Sequence, residues 1–405
     1  MNFKEHTNCR VCGSGKLKPY IDLGKLPLSN NLCNTVYDNP ERFPLKVLLC
    51  EDCGLSQLSI VVDPEILFGH YVYRSSINEG YKKHCRKMAA ELKERYSLHP
   101  MSFMIDIAGN DGALLNEFKN EIGLKVLNID PAINLNSICQ EKGIPIISEF
   151  WSANMGNRVL DMYGKADLII ATNVFAHVDD LTDFIRGVKV LLRQTGVLVM
   201  EFPYLIDFIE NNEFDTIYFE HLSYFGISPL NELCKKCGLK LLDVERQEIH
   251  GGSVRVHIGY GEQKQSVSEF IAKETKYKAI EPYNEFADVS YRTINEFRNK
   301  IAELNNSKYR VAAFAASAKF NTLLNCASIT NVSIEYIVDE TEEKRYKYSP
   351  GTHIPIFPME ALKRNPPDYL VLGSWNFQTE LMNKARREGY KGKFIIPIPK
   401  WEVID

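Results

Sequence analysis

Two cysteine pairs most constrain what this chain can fold into: Cys9-Arg10-Val11-Cys12-Gly13 and Cys50-Glu51-Asp52-Cys53-Gly54. Each sets two thiols two residues apart and follows them with glycine, which turns the chain tightly enough to aim backbone amides at sulfur. Two such knuckles let four thiolates converge tetrahedrally on one soft ion. Four sulfurs close its coordination shell, so Cys9, Cys12, Cys50 and Cys53 are expected to hold a structural Zn2+. Cys33, between the pairs, reads as a buried thiol. A third pair, Cys234 and Cys237, stands alone on an amphipathic helical pattern stopped by Gly238, and reads as helix-face thiols. Ten cysteines in 405 residues, with a polar start over residues 1–6 that is not a signal peptide, predict reduced thiols and a cytoplasmic setting. That length predicts two or three domains. A net charge of −4 with no basic run gives no footprint for nucleic acid, and the longest apolar strings are too short to span a bilayer.

From Met101 the pattern alternates strand and helix. Phe103-Met104-Ile105-Asp106-Ile107 reads as a buried strand, Ala108-Gly109-Asn110-Asp111-Gly112 as a turn, and 113–118 as the start of a helix. A second strand ends at Asp130, where an acid can take a ribose diol. A third ends in Glu149-Phe150, and a fourth ends at Asn173. This succession predicts a doubly wound α/β sheet that binds a nucleoside. Ala108 and Asn110 stand where a dinucleotide fold has phosphate-cradling glycines, and Asp106 and Asp111 would repel a pyrophosphate. Acids suit a sulfonium and an amino group instead. The pattern points to S-adenosylmethionine, with Asp106, Ala108, Gly109, Asn110, Asp111, Gly112, Asp130, Glu149, Phe150 and Asn173 as candidate contacts.

The stretch 213–225 packs Tyr218, Glu220 and His221 into four positions between hydrophobic flanks. Apolar burial beside titratable groups moves pKa values and makes acid–base work possible. His177 falls just beyond the carboxyl end of the fourth strand, the edge where open α/β sheets bind ligands. A loop over 68–81 rich in Tyr, Ser and Arg, Tyr73 among them, reads either as a flap over a ligand or as a plain connection. In His250-Gly251-Gly252-Ser253 the paired glycines allow a close ligand approach or make a bulge. Residues 266–304 read as a polar helical connector packed against both sheets. A second α/β unit begins with a strand at 310–315 and reaches Asp339 at the end of the next. Ser317, Lys319 and Asn321 at its helix start read as a phosphate site or as an ordinary capped helix. His353, Trp375 and Asn376 end segments on the same presumed edge.

Taken together, the chain resembles the sugar C-methyltransferases that act on nucleotide-linked keto-deoxysugars. The resemblance runs through the four zinc cysteines, Asp63-Pro64-Glu65-Ile66-Leu67-Phe68-Gly69, Tyr71-Val72-Tyr73 and Asn110-Asp111-Gly112. It continues in Ala176-His177-Val178, the stretch 213–225, His250-Gly251-Gly252-Ser253 and Pro350-Gly351-Thr352-His353-Ile354-Pro355-Ile356. It implies three parts: a zinc-binding module over 1–65, a Rossmann-like S-adenosylmethionine domain with a leading helical segment over 66–247, and a Rossmann-like α/β domain for the sugar nucleotide over 248–405. It further implies methylation of the carbon alpha to a ketone through a base-generated enolate. His221 is then the candidate base, Glu220 orients it or the sugar, and Tyr218 and His177 are the candidate enolate donors, roles that the sequence alone leaves exchangeable among His221, Tyr218 and His177. Tyr73, Tyr204, His250, Ser253, Lys319, Asn321, Asp339, His353, Trp375 and Asn376 are the candidate contacts to the nucleotide-linked keto-sugar. The chain departs from the family at Phe219, where the family has histidine, and at Ala315 and Phe320, where it has glycines around a phosphate turn. The alternatives are an O- or N-methyltransferase on a similar sugar and a non-catalytic nucleotide-sugar-binding protein. Neither nucleic acid nor membrane is an expected partner, and the sequence leaves the oligomeric state open, a monomer included.

Overall fold

The computed structural model describes residues 2–69, 75–77, 79–248 and 251–405. The cysteine pairs sit at two chain reversals. β1 (Phe3–Glu5) leads into the first knuckle, and β2 (Leu17–Pro27) runs antiparallel to β3 (Arg42–Cys50), which ends on a metal-ligand candidate. After the second knuckle β4 (Ser56–Leu58) extends the same sheet, while β5 (Ile60–Val62) pairs antiparallel with β1. Gly13 and Gly54 take φ near +80° (+81° and +80°), and their amides donate to the carbonyls of Cys9 and Cys50 at 2.9 Å. That left-handed backbone is open to glycine at little cost, which is why each knuckle ends in one.

The middle sheet is a parallel array of β6 (Phe103–Ile107), β7 (Lys125–Ile129), β8 (Ile146–Ile147), β9 (Ala166–Thr172) and β10 (Leu192–Pro203), in the order β10-β9-β6-β7-β8. Covered on both faces, its strands read as apolar runs. Met104, Leu168 and Val199 pack on the helices Glu79–Arg95 and Ala113–Ile122. Ile105, Ile169 and Leu198 face the opposite way, toward the helices Ala153–Tyr163, Leu181–Leu191 and Ile227–Cys237, whose Cys234 and Cys237 are buried there. After β10 the chain leaves this sheet. β11 (Ser223–Tyr224) pairs with the outer edge of β4 in the metal module. β12 (Lys240–Gln247) and β13 (Ser253–Gly259) then return antiparallel, β13 against β10. The sheet therefore runs through the expected division at 247/248 and ends only at Gly259, because the β12–β13 hairpin is hydrogen-bonded as one unit.

The helical connector forms in two pieces, Gln265–Lys273 and Glu281–Asn306, the second opening with Pro282 in its first turn, where proline's missing N–H costs nothing. The last sheet contains β14 (Val311–Phe314), β15 (Ile337–Val338), β16 (Ile356–Phe357), β17 (Tyr369–Leu372), β18 (Lys393–Ile396) and β19 (Glu402–Ile404). Its order is β16-β15-β14-β17-β18-β19, parallel except for β19. One hydrophobic core joins the parts: Phe43 of the metal module, Phe219 and Leu222 of the 213–225 stretch, Phe297 of the connector and Leu323 of the last domain belong to a single cluster. Among the described residues no helix is long and apolar enough to cross a membrane.

Candidate active site and metal centre

Cys9 Sγ lies 3.5 Å from Cys53 Sγ, and Cys12 Sγ 3.6 Å from Cys50 Sγ. All four sulfurs fall within 4.8 Å of one another. A tetrahedral zinc site with metal–sulfur bonds of about 2.3 Å requires sulfurs about 3.8 Å apart, so the residues fit the ion. The charges fit as well. A hydrogen bond from Cys53 draws the Cys9 thiol down to about 5, while burial pushes Cys12 up to about 12 and the bond to Cys9 pushes Cys53 up. Thiolates packed this closely need a cation among them.

A cavity of about 650 Å³ opens along the carboxyl edge of the parallel strands. Asp106, Ala108, Gly109, Asn110, Asp130, Phe150 and Asn173 line one end of it. Burial, and then the charge of Asp130, hold the Asp106 carboxyl well above the usual range, and its Oδ1 has no hydrogen-bond partner. Asp130 Oδ2 accepts from the Asn110 amide and Oδ1 from the Ala132 amide, both at 2.9 Å, yet burial still pushes its carboxyl up. Ala108 and Asn110 turn with φ of 54° and 53°. A Cβ on Gly109 would stand 2.6 Å from Asn128 Oδ1 and 2.8 Å from Asp106 Oδ2, so only glycine lets the turn pack against those two side chains. Two buried acids short of cations beside an open turn fit a ligand carrying a sulfonium, an ammonium and a ribose diol.

The other end holds His177, Tyr218 and His221. His221 Nδ1 lies 2.9 Å from the Thr216 carbonyl, which can only accept, so Nδ1 carries the proton and Nε2 presents its lone pair. That lone pair is 2.9 Å from the Tyr218 hydroxyl, which donates to it. The His177 ring sits 5.1 Å from that of His221 and stacks on Phe68 at 5.5 Å. Burial draws its imidazole down to about 4, which keeps it neutral at pH 7. Lys319 reaches the same cavity from the last domain, with Nζ 3.7 Å from Glu213 Oε2 and 4.9 Å above the Trp375 ring. It is the sole lysine or arginine among the described lining residues.

Other expected residues lie elsewhere. Glu220 faces away from the cavity, where its Oε1 accepts from Asn30 Nδ2 at 2.9 Å; the main-chain carbonyl of Thr216 is what holds His221. Phe219 packs on Phe43 at 5.7 Å in the core, so the residue standing in for the family's histidine does not reach the cavity. Asp111 is buried beneath the turn, taking the Ser76 amide at 3.2 Å, and Gly112 is the left-handed start of the following helix. Glu149 points outward into a two-bonded pair with Arg158 at 2.6 and 3.0 Å. Tyr204 donates to Glu274 at 3.0 Å, and Ser253 is buried in β13 opposite Pro203. Asn321 donates to the Ser29 carbonyl at 2.8 Å, and Asp339 pairs with Lys344 at 3.1 Å. Trp375 donates to Asp215 at 2.7 Å and reaches the cavity only through Lys319, while His353 and Asn376 do not line it. Tyr73 and His250 lie outside the described residues. The sequence reading missed Tyr81, Thr216 and Asp179, which all line the cavity. Tyr81 ends the 68–81 loop, Thr216 falls within the 213–225 stretch and Asp179 lies two residues past His177, but none of the three was singled out individually.

Residues 9–68 match a zinc binding domain family, 81–244 a methyltransferase domain family, and 248–399 the C-methyltransferase C-terminal domain family. The C-methyltransferase NovU of Streptomyces niveus is 33% identical over 405 aligned residues, spanning 98% of this chain and 96% of that protein. Among solved structures, magnesium protoporphyrin IX methyltransferase of Synechocystis PCC 6803 with bound SAM matches at 12% identity and a TM-score of 0.34, covering 44% of this chain and 79% of that one. An S-adenosylmethionine-dependent methyltransferase of Clostridium acetobutylicum ATCC 824 matches at 14% and 0.35, covering 44% and 92%. Likenesses this loose carry no argument.

Proposed function

The chain belongs to the zinc-module C-methyltransferase family, with S-adenosylmethionine as methyl donor and a four-cysteine zinc site, and from that premise we propose that it methylates the carbon alpha to the ketone of a nucleotide-linked keto-deoxysugar. The observation that carries this reading is the imidazole–phenol pair of His221 and Tyr218, joined at 2.9 Å, in one cavity with the acids Asp106 and Asp130. Methylation at carbon needs a carbanion, and an unprotonated Nε2 is the group able to generate one beside a carbonyl. S-adenosylmethionine, when bound, supplies an electrophilic methyl group on a sulfonium.

The chain's own residues do the rest. Asp130 and Asp106 hold the cofactor's diol and positive charges at the strand edge. His221 Nε2 takes the α-proton, its Nδ1–H steadied by Thr216. For the Nε2 lone pair to be open, the Tyr218 hydroxyl first turns from Nε2 to the substrate's carbonyl oxygen, where it stays as the enolate forms. His177, kept neutral by burial, offers an N–H to the same oxygen. Lys319 stands on the last-domain side of the cavity as the cation for an anionic part of the substrate. Four cysteines committed to zinc and six further thiols suit a reducing cytoplasm.

The test is solvent-deuterium exchange at the α-carbon of nucleoside-diphosphate 4-keto-6-deoxyhexoses with no methyl donor present. His221→Asn should lose both exchange and methyl transfer by about 10²-fold or more, with S-adenosylhomocysteine affinity retained. Exchange at the wild-type rate in His221→Asn, but not in Tyr218→Phe or His177→Asn, would reassign the base.

A further inference from the structure

Arg10 lies inside the first knuckle, between the metal-ligand candidates Cys9 and Cys12, but its side chain does not serve that module alone. It is fully buried, with Nε donating to Asp179 Oδ1 at 3.1 Å and Nη1 to the Leu58 carbonyl at 2.9 Å. Its own amide donates to Gln57 Oε1 at 2.9 Å, which fixes the knuckle's backbone from behind. His6 Nε2 reaches the same Asp179 oxygen at 2.6 Å. Asp179 lines the cavity two residues beyond His177 and next to Asp180, whose carboxylate caps the helix Leu181–Leu191. Phe68, close after the metal module, stacks on the His177 ring itself. The segment carrying His177 is thus gripped by the amino-terminal part of the chain. Four sulfurs close a zinc shell without any arginine, and a guanidinium is expensive to bury, so the metal module's own needs do not account for Arg10.

We infer that Arg10 is a positioning residue: through Asp179 it ties the zinc knuckle to the loop bearing His177, so that the metal sets the placement of an active-site imidazole as well as the fold of its module. This rests on the reading of His177 as a donor in the reaction proposed above. A charge-assisted hydrogen bond from a buried guanidinium to the partly exposed Asp179 holds its partners by geometry that a neutral amide of similar size does not reproduce, and small misplacements of a reacting group are costly in rate.

The experiment uses the full-length, zinc-loaded enzyme. Arg10→Gln should keep one zinc per chain and S-adenosylhomocysteine affinity within about threefold. Its kcat for methyl transfer to nucleoside-diphosphate 4-keto-6-deoxyhexoses should fall about tenfold or more, and amide hydrogen exchange should speed up over 174–183. Asp179→Asn should give the same pattern from the other end, the double variant should fall no further than the worse single, and Arg10→Lys should recover part of the rate. Wild-type kcat and exchange in a zinc-retaining Arg10→Gln would overturn the inference, as would independent, multiplying losses in the double variant. Should Arg10→Gln shed its zinc, Asp179→Asn decides alone, since it leaves the knuckle intact: a wild-type rate there overturns the inference. His177→Asn separates the two layers. If it turns over normally, the reading of the site falls; if it is dead while Arg10→Gln and Asp179→Asn are normal, only the role of Arg10 falls.

Discussion

After β6 the chain turns at Ala108 with φ 54°, and after β14 it turns at Ala315 with φ 75°. In the first turn the Ala108 amide donates to the Ile129 carbonyl at 2.7 Å; in the second the Ala315 amide donates to Val338 at 2.8 Å. Each neighbouring strand then ends in an acid. Asp130 accepts the Asn110 and Ala132 amides at 2.9 Å, and Asp339 accepts those of Ala316 at 2.8 Å and Thr341 at 2.9 Å. The two joints part company in what surrounds the acid. Lys344 lies 3.1 Å from Asp339 and also donates to the Ala316 carbonyl at 3.0 Å, while the buried Phe320 ring presses so close that a Cβ on Gly373 would meet it at 2.8 Å. In the first turn Lys142 donates to the Asp111 carbonyl at 2.7 Å and lies 3.6 Å from the Asp111 carboxylate, but no ion pair among the described residues reaches Asp130. Burial pushes Asp130 up; it pushes on Asp339 too, but there Lys344 and the two amides prevail and hold the carboxyl below its usual range. The same backbone device thus borders an open cavity in one sheet, where we propose the cofactor binds, and an ion-paired joint in the other. Charge left without a partner decides which.

Four measurements bear on that contrast. Phe320→Ala should cost about 3–5 kcal/mol of stability in chemical denaturation, the usual result of emptying a buried aromatic site. Calorimetry should still find one S-adenosylhomocysteine per chain; a second equivalent would break the comparison. Asp339→Ala should cost about 3 kcal/mol by stranding Lys344, with cofactor affinity unchanged. Asp130→Ala should shift the main loss to binding, weakening S-adenosylhomocysteine affinity by about 1–3 kcal/mol while costing about 1 kcal/mol of stability for the amides of Asn110 and Ala132. The smallest effect is one of sign. Asp130, raised in the folded state, opposes folding at neutral pH, and that opposition fades as pH falls from its raised value toward the ordinary 3.8. Asp339, lowered in the folded state, supports folding above 3.8 and loses that support as pH falls toward its folded value. Relative to Asp130→Asn and Asp339→Asn, acid should therefore move the wild type's stability in opposite directions.

The cysteine knuckles, the 108–112 turn and Asp130 were legible because the chemistry sits within a few residues of sequence: spacing, a positive-φ position and an acid at a strand end. Tyr218 and His221 were legible as residue types, but the orientation of the stretch was not. Phe219 and Glu220 point into a core supplied by Phe43 and Asn30, which come from another part of the chain. Asn321 read as a phosphate contact because it starts a helix, yet its amide is already committed to Ser29. Glu149 failed for the opposite reason: a strand-end position says nothing about an arginine on the following helix. Arg10 escaped altogether, since its partner lies 169 residues away and no local pattern announces a pairing at that distance.

The pairing of β11 with β4 has a consequence for how the protein is made. The metal module leaves the ribosome early, but the outer edge of β4 stays uncovered until Ser223 and Tyr224 have been synthesised and Leu222 has offered its carbonyl to Leu58. During that interval a finished, metal-bearing module carries an open row of backbone donors and acceptors, a template for any other extended segment nearby. Chains cut or stalled before residue 222 would carry that adhesive edge permanently, and crowded polysomes would bring such edges together.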